Sequence, residues 1–374
     1  MRVLVVNAGS STLKLALLDG DDAVLGRSEL PAPRATVAPA RLRAALDGGL
    51  GEADVVAHRI VHGGERYHEA VIIDAGVEAT LHELTDLAPL HQPKSLAALD
   101  AVSAALPDVP AVACFDTAFH ATLPAAAATY ALPAAWRERW GLRRYGFHGL
   151  SHSWVARRVP DLLRRPAAEL RIVSCHLGAG ASLCAIAAGR SIDTTMGFTP
   201  LDGLVMATRS GSVDPGLLLW LLPRAGLSGP QLADSLEHES GLLGLAGSAD
   251  MREVLARARA RARARDRDRD RDADARLALD VYLHRLRAGI AAMAAALGGI
   301  DALAFTGGVG EAAPAVRAGA VEGLGFLGLS IDEQANAGSP GDRRITGPGT
   351  AEVLVIAARE DLEMARQARA VCMP

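Results

Sequence analysis

The segment NAGSSTLKL (residues 7–15) follows directly after the apolar residues 3–6, and it determines how the rest of the chain is interpreted. The apolar residues predict a short strand, and the small and hydroxyl-bearing residues 8–12 predict a tight turn after it. This arginine-rich chain contains only two lysines, and Lys14 is one of them. Small residues let backbone N–H groups approach an anion closely, so this turn, with Lys14 beside it, is typical of a phosphate-binding loop.

The same pattern occurs again in the second half of the chain. Residues 170–177 predict a strand, Gly178-Ala-Gly180 a tight turn and residues 181–187 the returning strand. Further along, residues 301–305 predict a strand that runs into the glycine-rich residues 306–310, with a helix after them. One strand–turn–strand pattern in each half predicts a duplicated two-domain architecture. The length of 374 residues agrees with this prediction, because it is too great for one ordinary core.

Apolar alternation and helical periodicity predict the remaining elements. Strands are expected at residues 13–18, 23–30, 54–61, 109–115 and 352–357, with Asp19-Gly20 as a hairpin turn. Helices are expected at residues 78–87, 94–106 and 362–371. Strands that alternate with helices favour an α/β fold.

The composition argues against nucleic acid and membranes as partners. A formal net charge of −4 gives no reason to expect binding to nucleic acid or to an anionic membrane surface. The longest charge-free helical segment, residues 288–300, is well short of the roughly 20 residues that a transmembrane helix needs. The first predicted strand runs directly into polar residues, which is not the pattern of a signal peptide.

The four cysteines, at positions 114, 175, 184 and 372, form no Cys-x-x-Cys pair. Cys114, Cys175 and Cys184 lie in apolar runs that resemble strands. These positions favour buried thiols in a reducing cytoplasm over a disulfide framework.

Residues 257–276 form a run of alternating charges, RARARARARDRDRDRDADAR. The alternating aspartates suggest an EF-hand loop, but the sixth position from Asp266 is Arg271 instead of glycine, and the twelfth is Leu277 instead of glutamate. As a helix, the run has attractive pairs at i,i+3 and repulsive pairs at i,i+4. We interpret it as a solvated helix end or a disordered surface excursion, without an assigned function.

Polar residues at strand ends and glycine corners indicate the type of chemistry. The chain contains no HExxH, GxSxG or GxxxxGK[ST] motif, so zinc hydrolysis, serine hydrolysis and a P-loop find no support. Three glycine-rich turns behind apolar strands favour a nucleotide-binding cleft. Any one of Arg59, Asp116, His148 and Arg209 would usually be structural. Together they are the groups that phosphoryl transfer uses: cations for the phosphoryl oxygens and a residue that positions the acceptor.

Motifs along the whole chain resemble those of the acetokinase (acetate kinase) family of the sugar kinase/Hsp70/actin superfamily. Their number and their order make the resemblance more specific than any one of them. The motifs are NAGSSTLKL, HRIVHGGERY, LAPLHQP, FDTAFHATLP, YGFHGLSH, HLGAGAS, DTTMGFTPLDGL, TRSG, SGLLGLAGSADMR and FTGGVGE.

The resemblance implies a fold and an activity. The fold would be two duplicated actin-like ATPase (ribonuclease H-like) domains, with the active site in the cleft between them. Residues 1–118 with 360–374 would form the N-terminal domain, including a returning C-terminal helix, and residues 119–359 the nucleotide-binding domain. The reaction would be ATP + acetate ⇌ ADP + acetyl phosphate, with Mg²⁺ (Mn²⁺ as an alternative) as cofactor, in a cytoplasmic homodimer.

The resemblance also implies roles for individual residues. The catalytic residues would be Asp116, His148, Arg209 and Arg59, with the arginines on the carboxylate and phosphoryl groups and His148 stabilising the transition state. The acid would be bound by Arg59, Val61, Leu90, His91, Phe147 and Pro200, and Mg²⁺ by Asn7 and Glu360. The nucleotide would be bound by Ser10, Thr12, Lys14, His176, Leu177, Gly178, Ala179, Gly180, Asp250, Met251, Arg252, Gly308, Val309, Gly310, Glu311 and Ala312.

Several positions depart from the family's pattern. Ala179 and Ala312 stand where asparagine is usual, Gln92 replaces the asparagine of HNP, Arg359 replaces an asparagine before Glu360, and Ser212 replaces an aspartate. These departures concern nucleotide affinity, nucleotide preference and the dimer surface, and they leave the charged residues intact.

Three alternatives stay open from the sequence. A propionate or other short-chain carboxylate kinase of the same family would share the motifs, since one methylene discriminates only about 10–200-fold. A nucleotide-binding pseudo-kinase or sensor is motivated by Ala179 and Ala312. An Hsp70-like ATPase is disfavoured, in the expectation that no substrate-binding domain follows residue 374.

Overall fold

The computed structural model of the chain describes residues 1–9, 12–32, 39–87, 92–259 and 266–373. The chain divides into two compact units. Unit 1 comprises Met1–Ala121, Phe147–Trp154 and Arg359–Pro374, and unit 2 comprises Thr122–Gly146 and Val155–Ala358. The domain boundaries expected from the sequence stay a prediction.

Twelve strands are present in the described part of the chain. They are β1 (Val3–Ala8), β2 (Thr12–Leu18), β3 (Val24–Pro31), β4 (Val55–Ile60), β5 (Val71–Ile72), β6 (Ala111–Phe115), β7 (Arg171–Leu177), β8 (Ala181–Ala187), β9 (Arg190–Thr194), β10 (Ala302–Thr306), β11 (Arg343–Arg344) and β12 (Glu352–Val355).

Fifteen α-helices are present in the same residues. They are α1 (Pro39–Ala45), α2 (Ala75–Glu83), α3 (Gln92–Ala105), α4 (Ala125–Ala128), α5 (Ala134–Trp140), α6 (Gly149–Leu163), α7 (Pro215–Ala225), α8 (Gly229–Asp234), α9 (Gly241–Ala246), α10 (Met251–Arg259), α11 (Asp266–Leu297), α12 (Gly307–Ala312), α13 (Pro314–Val321), α14 (Glu333–Asn336) and α15 (Glu360–Cys372). Short 3₁₀ or π segments cover Leu46–Leu50, Leu84–Leu87, Ala118–Thr122, Ala167–Glu169, Ser235–Glu239 and Gly325–Leu327.

Each unit contains one six-stranded mixed sheet, and the two sheets have the same topology. Their orders are β3-β2-β1-β4-β6-β5 and, in reverse direction, β9-β8-β7-β10-β12-β11. In both sheets an antiparallel meander of three strands is followed by two further strands parallel to its first strand, and a short antiparallel edge strand ends the sheet. This repetition confirms the duplication predicted from the sequence.

The sheet of unit 1 is buried on both faces, because apolar residues occupy every position of β1 from Val3 to Val6. Leu4 and Val6 pack in a cluster with residues of α3 such as Val102. Val3 and Val5 point to the opposite face, where they pack with residues of α15 such as Met364. Continuous apolar runs of this kind are typical of strands with helices on both sides.

One segment differs from the element predicted for it, and the described residues of the charged run are helical, as one of its two interpretations expects. The glycine-rich residues 307–310 do not form a turn before a helix, because the helix α12 begins at Gly307 itself. The charged run lies at the end of α10 and the start of α11, where residues 266–276 are helical. Its residues 260–265 lie outside the described part of the chain.

The cysteines agree with the prediction of unpaired, buried thiols. All four are free, and Cys114, Cys175 and Cys184 are buried. Among the residues described, no helix is long and apolar enough to cross a membrane.

Candidate active site

Three predicted site residues of unit 1 meet because their strands are parallel. Asn7 lies near the end of β1, Arg59 near the end of β4, and Asp116 directly after β6. The strands β1, β4 and β6 are parallel neighbours, so their carboxyl ends lie at one edge of the sheet. Ligands of α/β proteins bind at this kind of edge. Glu360, the first residue of α15, joins the same group of side chains.

Arg59 is the centre of this group. It donates from Nη2 to Asp116 Oδ2 over 2.6 Å, and from Nε to the two oxygens of the same carboxylate over 3.1 and 3.2 Å. Its Nη1 donates to Asn7 Oδ1 over 3.2 Å and lies 3.6 Å from Glu360 Oε2. Asn7 Nδ2 donates to that glutamate oxygen over 3.3 Å. The guanidinium is therefore held in one orientation by three neighbours.

In the Arg59–Asp116 ion pair, burial and charge shift the pKa values in opposite directions. Only 3% of the Asp116 side chain is exposed. Burial raises the pKa of Asp116, and the charge and hydrogen bonds of Arg59 oppose that rise. Burial alone would lower the pKa of Arg59, but the charges of Asp116 and Glu360 outweigh it and raise the pKa. Arg59 is therefore a permanent cation at the edge of the sheet.

His148 lies in a strained turn that packs on Asp116. Its φ is +56°, in the left-handed region that costs a non-glycine residue roughly 1–2 kcal/mol. The next residue, Gly149, donates from its backbone N–H to the carbonyl oxygen of Asp116 over 2.8 Å, and a Cβ at position 149 would clash with that oxygen. Strain of this kind persists where the surrounding structure enforces it, as at functional sites.

The predicted acid-binding residues are only partly covered by the structure. Val61 follows β4 and is half-buried, whereas Phe147 is almost fully buried. The carbonyl oxygen of Phe147 lies 3.0 Å from Nε2 of the buried His120. Leu90 and His91 lie outside the described residues.

Residues outside the predicted site hold this part of unit 1 together. The Gln92 side chain accepts from the backbone N–H of His62 over 3.1 Å and donates to the His62 carbonyl over 3.2 Å. Thr117 accepts from the N–H of Gly63 over 3.0 Å, and burial lowers the pKa of His62 to about 4. Gln92 was noted only as a departure from the HNP motif. Its buried position next to the HGG turn is a result of tertiary structure.

The first phosphate-type turn connects β1 and β2. The N–H of Gly9 donates to the carbonyl oxygen of Thr12 over 2.8 Å, which closes the turn. Lys14 is exposed on β2 and pairs in register with Asn7 of β1. Asn7, Arg59, Asp116 and Glu360 form what we call the Arg59 group. Lys14 thus lies on the strand next to this group, while Ser10 lies outside the described residues.

The second phosphate-type turn, in unit 2, connects β7 and β8. The N–H of Gly178 donates to the carbonyl of Gly180 over 2.9 Å, and Ala179 is exposed at the tip. The first residue of α12 lies close to this turn: Gly307 has a φ of +79°, and a Cβ there would lie 2.8 Å from the carbonyl oxygen of Leu177. Only glycine allows this approach.

A cavity of about 810 Å³ opens beside this turn, within unit 2. Its size lies within the usual range for small-molecule sites, about 300–1,000 Å³. Eight of the predicted nucleotide residues line it: Gly178, Ala179, Asp250, Met251, Arg252, Gly308, Val309 and Ala312. The wall does not include five further predicted residues, which lie in β7, in the turn after it or in α12: His176, Leu177, Gly180, Gly310 and Glu311.

Three charged side chains of the predicted nucleotide site form hydrogen bonds within the protein. Arg252 donates from Nη2 to Asp250 Oδ2 over 2.7 Å, and these bonds lower the pKa of Asp250 to about 2. Glu311 accepts from the backbone N–H of Ala358 over 3.0 Å. The carboxylate of Glu311 is thus used to tie α12 to the segment after β12.

Arg209 lies in the long loop between β9 and α7. Its Nε is 2.8 Å from Glu237 Oε2, and its Nη1 donates to the carbonyl of Pro200 over 3.2 Å. Glu237, which the sequence analysis did not single out, has a side chain only 8% exposed. Nη2 of Arg209 has no acceptor among the described residues. Contacts at Nε and Nη1 therefore fix the orientation of the guanidinium, and Nη2 keeps its hydrogen-bond donors.

The oxygens around Arg59 fit a hard divalent cation. Asn7 supplies an amide oxygen, and Glu360 and Asp116 supply carboxylates, all within the hydrogen-bonded group described above. Oxygen ligands of this type are those that Mg²⁺ prefers. The predicted metal ligands Asn7 and Glu360 are thus adjacent.

Two α/β units with the same sheet topology, each with a phosphate-type turn after its first strand, define an actin-like ATPase-type fold. The sequence profile of the Acetokinase family matches residues 36–366. The chain therefore belongs to the acetokinase family, whose members are kinases with a carboxylate as acceptor.

Relatives cover almost the whole chain. An acetate kinase of Leifsonia xyli subsp. xyli (strain CTCB07) is 48% identical over 397 residues, which cover 98% of each chain. The crystal structure of Porphyromonas gingivalis acetate kinase has a TM-score of 0.87 and 33% identity, with 99% of both chains covered. The crystal structure of a propionate kinase from Francisella tularensis subsp. tularensis SCHU S4 has a TM-score of 0.89 and 32% identity at the same coverage.

Proposed function

We propose that this protein transfers the γ-phosphoryl group of ATP to acetate, reversibly, to give acetyl phosphate and ADP. The observation that carries the proposal is the Arg59 group, in which a permanent cation is held by Asp116 and Asn7 at the carboxyl edge of a parallel sheet. A planar, fixed cation of this kind suits a carboxylate substrate, because a guanidinium can bind both carboxylate oxygens together.

The protein contributes positioning and charge to the reaction. Arg59 would hold the acetate carboxylate, and Nη2 of Arg209 would donate to the transferring phosphoryl group. His148 would donate a hydrogen bond to that group, and Asp116 would keep Arg59 oriented. The cavity of unit 2 would hold ATP, with its phosphates at the Gly178-Ala-Gly180 turn. Catalysis would rest on alignment and on electrostatic stabilisation of the phosphoryl oxygens.

Asn7 and Glu360 would hold Mg²⁺. When bound, the ion would neutralise charge on the phosphate oxygens.

The acid is proposed to be acetate, with propionate as the second candidate. The apolar residues assigned to the methyl end of the substrate are Val61, Leu90, Phe147 and Pro200, of which Leu90 lies outside the described residues. One related structure is of a propionate kinase, which supports the second candidate. The two acids differ by one methylene, for which an apolar pocket discriminates only about 10–200-fold.

A homodimer is proposed on the basis of helix α7. This helix contains no buried residue, although its sequence is strongly apolar. Leu219 is 70% exposed, Trp220 53% and Leu217 45%. An exposed apolar patch of this kind marks an interaction site. Leu219→Asp should convert a dimer into a monomer in sedimentation velocity, and an unchanged sedimentation coefficient would contradict this assignment.

The proposed location is the cytoplasm. Its support is the set of four free thiols, because a reducing compartment keeps such thiols unpaired.

The reverse reaction tests the proposed function. Protein is mixed with ADP, Mg²⁺ and acetyl phosphate, and ATP is measured by luciferase luminescence. The proposal predicts rapid ATP formation that Arg209→Ala abolishes. A protein that binds ATP in calorimetry but forms none in this assay would be a nucleotide-binding sensor instead of a kinase.

A further inference from the structure

Arg317 of α13 is fully buried and belongs to no motif that the sequence analysis singled out. Its Nη1 donates to the backbone carbonyls of Gly310 and Glu311 over 2.7 and 2.8 Å. Its Nε donates to Asn336 Oδ1 and its Nη2 to the Asn336 carbonyl, each over 2.7 Å. Four short hydrogen bonds thus connect one guanidinium to α12 on one side and to the end of α14 on the other.

The surroundings of Arg317 are unusual for a buried charge. No carboxylate in the described part of the chain pairs with it, and burial lowers its pKa to about 10, with the nearby Arg343 contributing. A buried charge without a counterion is costly unless hydrogen bonds compensate for it. Its acceptors here are mostly carbonyls at the carboxyl ends of short helices, which carry partial negative charge and lack partners within the helix.

The helix that Arg317 holds forms part of the nucleotide cavity. Gly308, Val309 and Ala312 of α12 line the cavity, and the carbonyls bound by Arg317 lie between them in sequence. The other end of α12 is fixed by the close approach of Gly307 to Leu177. A six-residue helix has few hydrogen bonds of its own, so its position depends on contacts at its two ends.

We propose that Arg317 is a positioning residue for nucleotide binding: it fixes α12 so that the wall formed by Gly308, Val309 and Ala312 is ready for ATP before ATP arrives. The inference rests on the proposed function, because it assumes that the cavity takes the nucleotide. A wall that must be ordered during binding lowers affinity, whereas a pre-organised wall does not. Arg317 should therefore act on the ATP Kd without touching ATP.

The test compares two arginines that share one acceptor. Arg343 also donates to the Asn336 carbonyl, over 3.4 Å, but its other bonds go to Ala335 and Gly341 and none goes to α12. Arg317→Lys keeps the charge and loses the planar fork, and Arg343→Lys is the matched control. ATP Kd is measured by calorimetry and Tm by scanning calorimetry, with KM for acetate and kcat at saturating ATP as further readouts.

We expect Arg317→Lys to raise the ATP Kd about tenfold, the effect of losing roughly one hydrogen bond to a charged group. The KM for acetate and the kcat at saturating ATP should stay within about twofold of wild type, while Arg343→Lys lowers Tm without changing the ATP Kd. Equal ATP Kd values in wild type and a folded Arg317→Lys protein would overturn the inference, and so would an equal rise in both variants.

A second variant covers the case in which Arg317→Lys does not fold. Asn336→Ala removes the acceptor of Nε and the donor to the Pro314 carbonyl, and it leaves the bonds from Arg317 to α12, so it should raise the ATP Kd by a smaller factor, about two- to fivefold. An unchanged ATP Kd in this variant would also overturn the inference. Wild-type protein that binds no ATP would overturn the proposed function, and the inference with it.

Discussion

Replacing Arg209 by alanine tests catalysis and folding together, because the structure assigns this side chain a partner in the fold. The change removes the guanidinium whose Nε lies 2.8 Å from Glu237 Oε2. The Glu237 side chain, 8% exposed, would lose the charge of Arg209. Breaking a buried ion pair in this way costs about 3–5 kcal/mol. The single variant should therefore melt earlier than wild type as well as turn over more slowly.

A matched pair of variants separates the two effects. Glu237→Gln removes the charge of the partner while Arg209 stays in place. The double variant Arg209→Ala/Glu237→Gln removes the guanidinium without leaving a buried charge, so it should recover most of the lost stability. If Arg209 stabilises the transferring phosphoryl group, the double variant should nevertheless stay as inactive as Arg209→Ala.

The expected loss of activity is large. Arginine contacts to a transferring phosphoryl group contribute about 10³–10⁵ in rate, or roughly 4–7 kcal/mol. The assay traps acetyl phosphate with hydroxylamine at saturating ATP, and calorimetry gives the ATP Kd and Tm of each variant. We expect both Arg209 variants to bind ATP nearly normally and to turn over at least about 100-fold more slowly. Turnover within tenfold of wild type in the folded double variant would refute the reasoning.

Three further changes test other parts of the account. Val61→Ala should raise kcat/KM for propionate relative to acetate by less than about 200-fold, and a wild type that already prefers butyrate would contradict the pocket assignment. The double variant Ala179→Asn/Ala312→Asn changes two residues that line the cavity. It should lower the ATP Kd, measured by calorimetry, by about 2- to 12-fold for each hydrogen bond gained. The pKa of His58 is lowered by burial to about 3, from 6.5, so the unfolded chain binds protons more strongly and stability should fall as the pH drops below about 6.5. At pH 5 this effect should lower the free energy of unfolding, measured with urea, by about 2 kcal/mol, and His58→Leu should remove that loss. If the unfolding free energy of His58→Leu depends on pH as steeply as that of wild type, the assignment is contradicted.

The strands were the part of the fold most accessible from sequence, because apolar alternation is a local property. The predicted strand 181–187 matches β8, and most other boundaries agree within two residues. The order of strands in each sheet depends on pairing between distant residues, and it was available only through the resemblance to a family. The helical state of residues 307–310 was missed because glycines favour turns locally, whereas here the close approach to Leu177 requires glycine at position 307.

The candidate site was predictable as a set of residue types but not as a set of contacts. Arg59 and Asp116 are 57 positions apart, and only the parallel pairing of β4 with β6 brings them together. Glu237 and Arg317 were missed, because a charged side chain in a helical segment is usually exposed. Both are buried, and both owe their partners to tertiary structure.

The most direct test of the central claim is the formation of acyl phosphate by the purified wild-type protein. ATP and Mg²⁺ are supplied with formate, acetate, propionate or butyrate, and the product is trapped with hydroxylamine as the hydroxamate. We predict acetohydroxamate in amounts equal to the ADP formed, with acetate giving the highest kcat/KM of the four acids. ADP release without any hydroxamate would contradict the account, because the protein would then hydrolyse ATP instead of phosphorylating a carboxylate.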